Sequence, residues 1–504
     1  MKKLLLPFGI FALSVSASRA DDPALTIYNQ NFAVVRDTVP LDLKTGTNEV
    51  SFSDTTARLE PDSVILRDPT GKVSLQILEQ NYRNDPVSQE LLLSLFEGKT
   101  IDFSIKGTNG APDQTVQGKI IRSGYVMHSP GAMQEYGQPY DQVQQAMASN
   151  TQPIVEVDGK ILFGLPGQPI FPSLGDDTIL KPMISWKLAA DTPGKVEAEL
   201  AYVTEGMTWH ADYNVIAPQD SDVLDIVGWV TMDNQSGKTF ENAKIKLMAG
   251  DVNKIQDQYS RNGFGATGDA VYLSDTAGLP GVTEKAFEDY HLYSLPRATT
   301  LHDGETKQVE FIRATGVKSE KVYVYDGLKI DENRYRGWAM ENIRNNEEYG
   351  TDSDTKVAIL REFKNSEANH LGMPLPKGRV RFYKEDDQQL EFTGENEIDH
   401  TPKDETVKIY TGNAFDLVGE RKRTNFSVDN GGRWADESFE IKLRNHKTEP
   451  VEIRVVEHLY RWTNWTITQN TDPFVKTDAQ EMEFRLPLKP HEERTVSYKV
   501  HYSW

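Results

Sequence analysis

The sequence predicts a mainly β protein, built of antiparallel β-sandwich modules with a small inserted β-unit and few short helices. Three observations predict it. Apolar residues recur with a period of two, Gly, Pro, Asn and Asp break the runs at short intervals, and helical periodicity is nearly absent. The alternation is clearest late in the chain. Phe439, Ile441 and Leu443 alternate with Glu440, Lys442 and Arg444, Val451, Ile453 and Val455 with Glu452 and Arg454, and Val496, Tyr498, Val500 and Tyr502 repeat the pattern. Such alternation turns one face of an extended segment to a core and the other to water, as in antiparallel sheets.

Taken in order, residues 1–20 read as a signal peptide. Lys2 and Lys3 precede an apolar run from Leu4 to Val15, and Ser18 and Ala20 occupy the small-residue positions before cleavage. Twelve apolar residues are too few to span roughly 30 Å of hydrocarbon as a helix, so the mature chain is expected to begin at Asp21 with no transmembrane segment. Residues 21–97 carry strand patterns at Ala24–Tyr28, Glu49–Phe52, Val64–Leu66 and Val73–Leu78, then one helix. That helix is expected to start at Asp85-Pro86, with Asp85 capping, to run through Leu91, Leu92, Leu93 and Leu95, and to close at Gly98. Residues 98–181 form the inserted β-unit, with strands near Gly118–Arg122 and Val155–Phe163 and a weaker helix pattern from Asp141 to Ser149.

Residues 182–504 form the C-terminal β-sandwich region, with further strands at Val309–Ile312, Val322–Tyr325, Val357–Leu360, Val380–Tyr383 and Val407–Tyr410. Gln256–Asp289 and Asp331–Asp354 read as long loops, a length usually tied to function or disorder. One spacing occurs three times: two half-buried extended runs flank a polar turn at Leu41–Phe52, Trp186–Tyr202 and Leu486–Val500. Each resembles a hairpin that closes a sandwich.

The 504 residues include no cysteine, which excludes disulfides, thiolate metal sites and cysteine nucleophiles and leaves core burial to hold the fold. Formal charge is −21, and loss of Lys2, Lys3 and Arg19 with the signal leaves −24. With no basic stripe to offset it, this charge argues against nucleic-acid partners.

Few motifs carry chemistry. The serine-hydrolase elbow, the zinc His-Glu-x-x-His, the phosphate loop and the EF-hand loop are all absent. Gly263-Phe-Gly265-Ala-Thr-Gly268 matches the dinucleotide spacing, yet a polar segment precedes it and no crossover helix follows, so it reads as a glycine-rich loop. His210 and Asp212 would share a strand face opposite Trp209, Ala211 and Tyr213, a pairing more typical of structural networks than of a base and its partner. Glu395, Glu397 and Asp399 read as a solvated hairpin tip, or as a carboxylate pair if a sugar-sized gap separates them. The most aromatic stretch is Glu457 to Trp465, whose Trp462 and Trp465 are the candidate ligand-binding residues. No catalytic residue, metal ligand or cofactor is assigned.

Several longer segments resemble a known family. Gly228–Gly237 through Ala249–Asn253, Tyr290–Pro296, Gly372–Gly378, Asp399–Asp404 and Arg454–Tyr460 are similar to signatures of exported bacterial proteins carrying the four-one-three-nine domain of unknown function. That family is distantly related to the mucoidy-inhibitor-A-like proteins. The resemblance covers most of Asp21–Trp504 and implies an envelope location and β-rich domains, with no catalytic residues to transfer. The distant relatives carry a long coiled coil, whereas this chain has no sustained heptads.

The expectation is therefore an exported, periplasmic or surface-associated envelope protein, a non-enzymatic binding or scaffold module whose partner is an envelope protein or polysaccharide. The alternative is a hydrolase acting on envelope polysaccharide through acids around Glu397 and Asp399.

Overall fold

The alternating runs become strands. The computed structural model describes residues 22–107, 112–125, 152–174, 178–219, 222–250, 252–254, 283–287, 290–429, 431 and 433–504. Strands make up 62% and helices 6% of the described residues, so the class is mainly β, in several antiparallel and mixed sheets. The signal segment, the helix expected at 141–149, the glycine motif at 263–268 and residues 256–282 of the loop expected at 256–289 lie outside the described residues. The chain clusters into two units, Met1–Trp209 with Met232–Lys307, and His210–Thr231 with Gln308–Trp504.

In the first unit an eight-stranded sheet is organised around Phe32–Leu43 and Gly194–Glu205, paired antiparallel along their whole length. Ala24–Tyr28 joins Phe32–Leu43 antiparallel and Phe240–Ala249 parallel. A three-stranded sheet places Met183–Ala190 between Gly46–Ser53 and Leu75–Arg83. Between residues 98 and 181 a separate five-stranded sheet closes on Leu93, Ile101, Phe103, Ile120 and Val155.

The helix there is Gln89–Leu95, capped by Ser88, whose hydroxyl accepts from the Leu91 amide at 3.1 Å. Asp85 is not the cap. Pro86 bridges Ile179, and the Val87 amide donates to the Ile179 carbonyl at 2.8 Å, so the chain stays extended until Ser88.

The three recurrent strand–turn–strand segments are not hairpins. Phe32–Leu43 lies in the eight-stranded sheet and Gly46–Ser53 in the three-stranded one, and the turn between Met183–Ala190 and Gly194–Glu205 makes the same change of sheet. The two arches lie side by side, since Leu43 registers with Gly194 and Gly46 with Ala190. Gly46 and Gly194 both sit at positive φ, +94° and +150°, where a side chain would be strained. The third segment behaves alike. Glu481–Leu488 pairs with Val451–His458, whereas Glu493–Ser503 pairs with Trp434–Asn445. An arch buries its inward side chains between the two layers it joins, so it produces the same alternating pattern as a hairpin.

The second unit holds most of a five-stranded sheet, ordered Glu305–Lys318, Val223–Asn234, Met207–Ala217, Gly378–Asp386 and Gln389–Ile398. It also holds a nine-stranded sheet that curls over its own core. Glu481–Leu488 and Glu493–Ser503 stand near opposite ends of the strand order. Yet the rings of Phe484 and Tyr498, one from each strand, lie 5.9 Å apart. Ile441, Leu443, Ile453, Val455, Leu486 and Val500 fill the interior, all at 1% exposure or less.

Buried asparagines fix the strand ends. Asn365 donates through Nδ2 to the carbonyls of Met373 (2.9 Å), Thr401 (3.4 Å) and Pro402 (2.9 Å), and its Oδ1 accepts from the Gly372 amide at 3.0 Å. One side chain thus ties Gly372–Gly378 to Asp399–Asp404. Asn234 in the first unit and Asn445 in the second play the same part, each accepting from the amide two residues on. A buried amide with its partners in place holds irregular backbone that has no ladder of its own.

Candidate functional site

Strand pairing in the second unit gathers tryptophans at one end of the nine-stranded sheet. Trp434 opens the strand Trp434–Asn445 and registers with Ser503, and Trp465 opens Trp465–Asn470 and registers with Tyr502. The Trp504 amide donates to the Arg433 carbonyl at 3.0 Å, and the Ser503 amide to Asn464 at 3.1 Å. Trp462, Trp465 and Trp504 are half-buried and pack against the core, while Trp434 stacks on His501 with centroids 6.0 Å apart. Cations lie on these rings. The Arg344 guanidinium is 3.6 Å from the Trp462 centroid and 5.0 Å from that of Trp504, and Lys476 Nζ is 4.6 Å from Trp465. The Trp465 indole N–H donates to the Ala479 carbonyl at 2.7 Å. Both sequence-predicted residues therefore sit at one aromatic end, each with part of its ring on the core and a cation over its face.

Arg344 belongs to the segment expected as a loop at 331–354, which is more ordered than that expectation. Asp331 caps a short helix, Glu332–Tyr335, and a second runs Met340–Asn345. The Tyr335 ring meets Trp338 and Tyr349 edge-on, both at 5.0 Å. Arg461 fastens this segment to the sheet. Its Nη1 donates to the carbonyls of Ile343 (2.5 Å), Arg344 (3.2 Å) and Asn346 (3.1 Å). Its Nη2 donates to Tyr349 O (3.1 Å) and Glu437 Oε1 (2.7 Å).

Beside Arg461 lies a second buried pair. Arg421 Nε donates to both Glu457 oxygens at 2.9 Å and its Nη1 to the Gly350 carbonyl at 2.8 Å, while the guanidinium packs 4.0 Å from the Phe439 ring centre. The Tyr498 hydroxyl also donates to Glu457. Burial alone would drive the Arg421 pKa down, but the facing Glu457 carboxylate holds the guanidinium charged. Burial, and then the Glu457 and Glu437 carboxylates respectively, push the Tyr498 and Tyr502 phenols well up, so both stay protonated. A hydrogen bond to Asp326 at 3.0 Å raises the pKa of His458, which stacks on Tyr460 at 5.0 Å.

Sequence reading did not find these buried charges, although a signal existed. Glu437 falls in step with the inward-facing Ala435, Phe439 and Ile441, and Glu457 in step with Ile453 and Val455. A charge on the apolar beat of a strand must be paired inside the fold.

The other sequence candidates are dispersed. His210 Nε2 lies 3.2 Å from Asp212 Oδ2, with His210 half-exposed and Asp212 buried. Asp212 also accepts from Thr231 Oγ1 at 2.8 Å, which itself accepts from Gln308 Nε2 at 3.0 Å. Arg381 stands 3.7 Å from Asp212 and 3.8 Å from Glu395. This polar row crosses all five strands of the sheet and accounts for the His–Asp pair. Glu397 pairs with Lys377 at 2.9 Å on the exposed edge strand, and Asp399 accepts from the His400 amide at 2.9 Å. Among the described residues no three His, Asp or Glu side chains are grouped to hold a metal ion, and no helix is long and apolar enough to cross a membrane.

No protein-family model matches the chain, and a search of curated proteins returns no match.

Proposed function

We propose that this chain is an exported envelope protein that binds its partner without transforming it, and that the aromatic end of its second unit is the contact face. The observation that carries the reading is the convergence of Trp434, Trp462, Trp465 and Trp504 at the ends of neighbouring strands. Indole rings held by a rigid sheet are suited to packing their exposed edges against the apolar faces of sugar rings, with little side-chain entropy left to lose. Arg344 and Lys476 over those rings supply donors for hydroxyl or carboxylate groups at the rim. The ligand class is therefore an envelope polysaccharide, with Trp462 and Trp465 as the contact residues. Kinship with the four-one-three-nine family, and a location beyond the inner membrane, belong to the same proposal.

Co-sedimentation of the purified mature chain with insoluble envelope polysaccharide tests it. Trp462→Ala and Trp465→Ala are each expected to cut binding at least tenfold while retaining the parent circular-dichroism spectrum, and Trp462→Phe to restore part of it. If the parent itself does not co-sediment, or both Ala variants bind as the parent does, the reading fails.

A further inference from the structure

A second locus lies away from the tryptophans, in a polar groove of about 470 Å³, within the size range of small-molecule sites. Its wall is formed in part by the start of Glu320–Asp326 and by Arg361 of the neighbouring strand Lys356–Lys364. Lys321 and Arg361 are register partners across this antiparallel pair, so two cations project from one face directly opposite each other. Like charges in that position destabilise a sheet unless an anion lies between them. Tyr323, two residues on and on the same face, adds a phenol. Its oxygen accepts from Lys447 Nζ at 2.9 Å, and Lys321 Nζ stands 5.2 Å from its ring centre. Burial would raise this phenol's pKa, yet the Lys447 and Lys321 ammoniums hold it below its ordinary value.

The acids that answer these cations stand at the rim. Asp222 accepts from Arg361 Nη1 at 2.9 Å, and Glu449 from Lys447 at 2.9 Å. The Arg361 side chain is 9% exposed, but those of Asp222 and Glu449 are 75% and 62% exposed. Carboxylates so exposed form weak, exchangeable pairs. A buried Arg361 and an exposed Lys321 on one face, answered only by yielding acids at the rim, are an arrangement that an incoming oxyanion can enter. Arg454, also in the groove wall, is already engaged by both Glu362 oxygens at 3.1 Å and is left out of the site.

We infer that Arg361, Lys321 and the Tyr323 hydroxyl, which Lys447 holds from behind, form a binding site for the oxyanion, carboxylate or phosphate monoester, of a small polar ligand. The site is distinct from the aromatic end, and its test is independent of that reading. Calorimetric titration of the full mature chain with glucuronate, glucose 6-phosphate and glucose, each up to about 10 mM, covers dissociation constants on the order of 1 mM and tighter. At least one of the two anions is expected to bind and glucose to give no heat. A preference for glucuronate assigns the ligand to acidic sugars, and a preference for glucose 6-phosphate assigns it to phosphate esters. Lys321→Gln, a change at an exposed side chain, is expected to weaken the bound anion at least tenfold. Asp222→Asn, which removes the competing carboxylate, is expected to tighten it severalfold. Silence from both anions, equal binding of glucose, or an Asp222→Asn variant that weakens as Lys321→Gln does would overturn the inference.

Discussion

Replacing Arg461 by Met keeps much of the side chain's volume and removes its charge from the interior of the second unit. The Arg461 side chain is 2% exposed and that of its partner Glu437 is 5% exposed. Cutting one partner out of a buried pair leaves an uncompensated charge and costs about 3–5 kcal/mol. Arg423, 3.3 Å from Glu437, retains part of the compensation, which places the ionic part near the lower end, about 3 kcal/mol. Four carbonyls of residues 343–349 also lose their donor, adding about 1 kcal/mol once water reaches most of them. The total of about 4 kcal/mol, divided by a urea slope of about 2–3 kcal/mol/M, lowers the unfolding midpoint by about 1–2 M.

Tryptophan emission is a suitable probe, because Trp229, Trp338, Trp434, Trp462, Trp465 and Trp504, six of the eight, lie in this unit. Limited trypsin digestion is expected to cut the native variant at Arg334, Arg336 or Arg344 well before the parent, since Arg461 pins that segment. The double variant Arg461→Met, Glu437→Gln is expected to lose less than the sum of the two single losses, because both single changes break the same Arg461–Glu437 contact and the double change removes it only once. A single variant within about 0.5 kcal/mol of the parent, or a double variant whose losses simply add, would refute the reasoning.

Three further outcomes are expected. Asn365→Ala removes an amide that holds three carbonyls and one backbone N–H, and should cost the second unit about 2–4 kcal/mol in the same urea assay. Gly419→Ala places a Cβ 2.2 Å from Cε2 of the fully buried Tyr325 ring, and overpacking of that kind costs about 1–3 kcal/mol, readable as a lower melting temperature. His458 carries a pKa raised above 6.5 by its hydrogen bond to Asp326. The protonated form is therefore favoured by folding, and its stabilisation is complete below pH 6.5 and lost as pH rises through the raised value. The melting-temperature gap between parent and His458→Gln should be wide below that pH and close above it; a gap that widens with pH contradicts the assignment.

The β class was legible because alternation is a local property of each strand. Phe439 to Leu443 and Val496 to Tyr502 carry their burial pattern in their own sequence. Pairing was not legible, for the same reason. Leu41–Phe52 and Trp186–Tyr202 look like hairpins because an arch and a hairpin share one inward–outward rhythm, and only the partner strands distinguish them. The helix start was misplaced by three residues, since the bridge of Pro86 to Ile179 joins positions 93 residues apart in sequence and no local cap rule registers it. At the candidate site, Trp462 and Trp465 were visible as an aromatic cluster, whereas Trp434 and Trp504 joined them only through strand register. Glu437 and Glu457 stand on the apolar beat of their strands, but their partners Arg461 and Arg421 reach them only through the fold, so the network is not legible in any one segment.

Hydrogen–deuterium exchange of the mature chain, with and without soluble envelope polysaccharide, tests the central claim most directly. Binding at the aromatic end should slow exchange in residues 433–436, 462–467 and 501–504, and leave the edge strand Gln389–Ile398 unchanged. Protection confined to Gln389–Ile398, with none at the tryptophan-bearing strand ends, would contradict it.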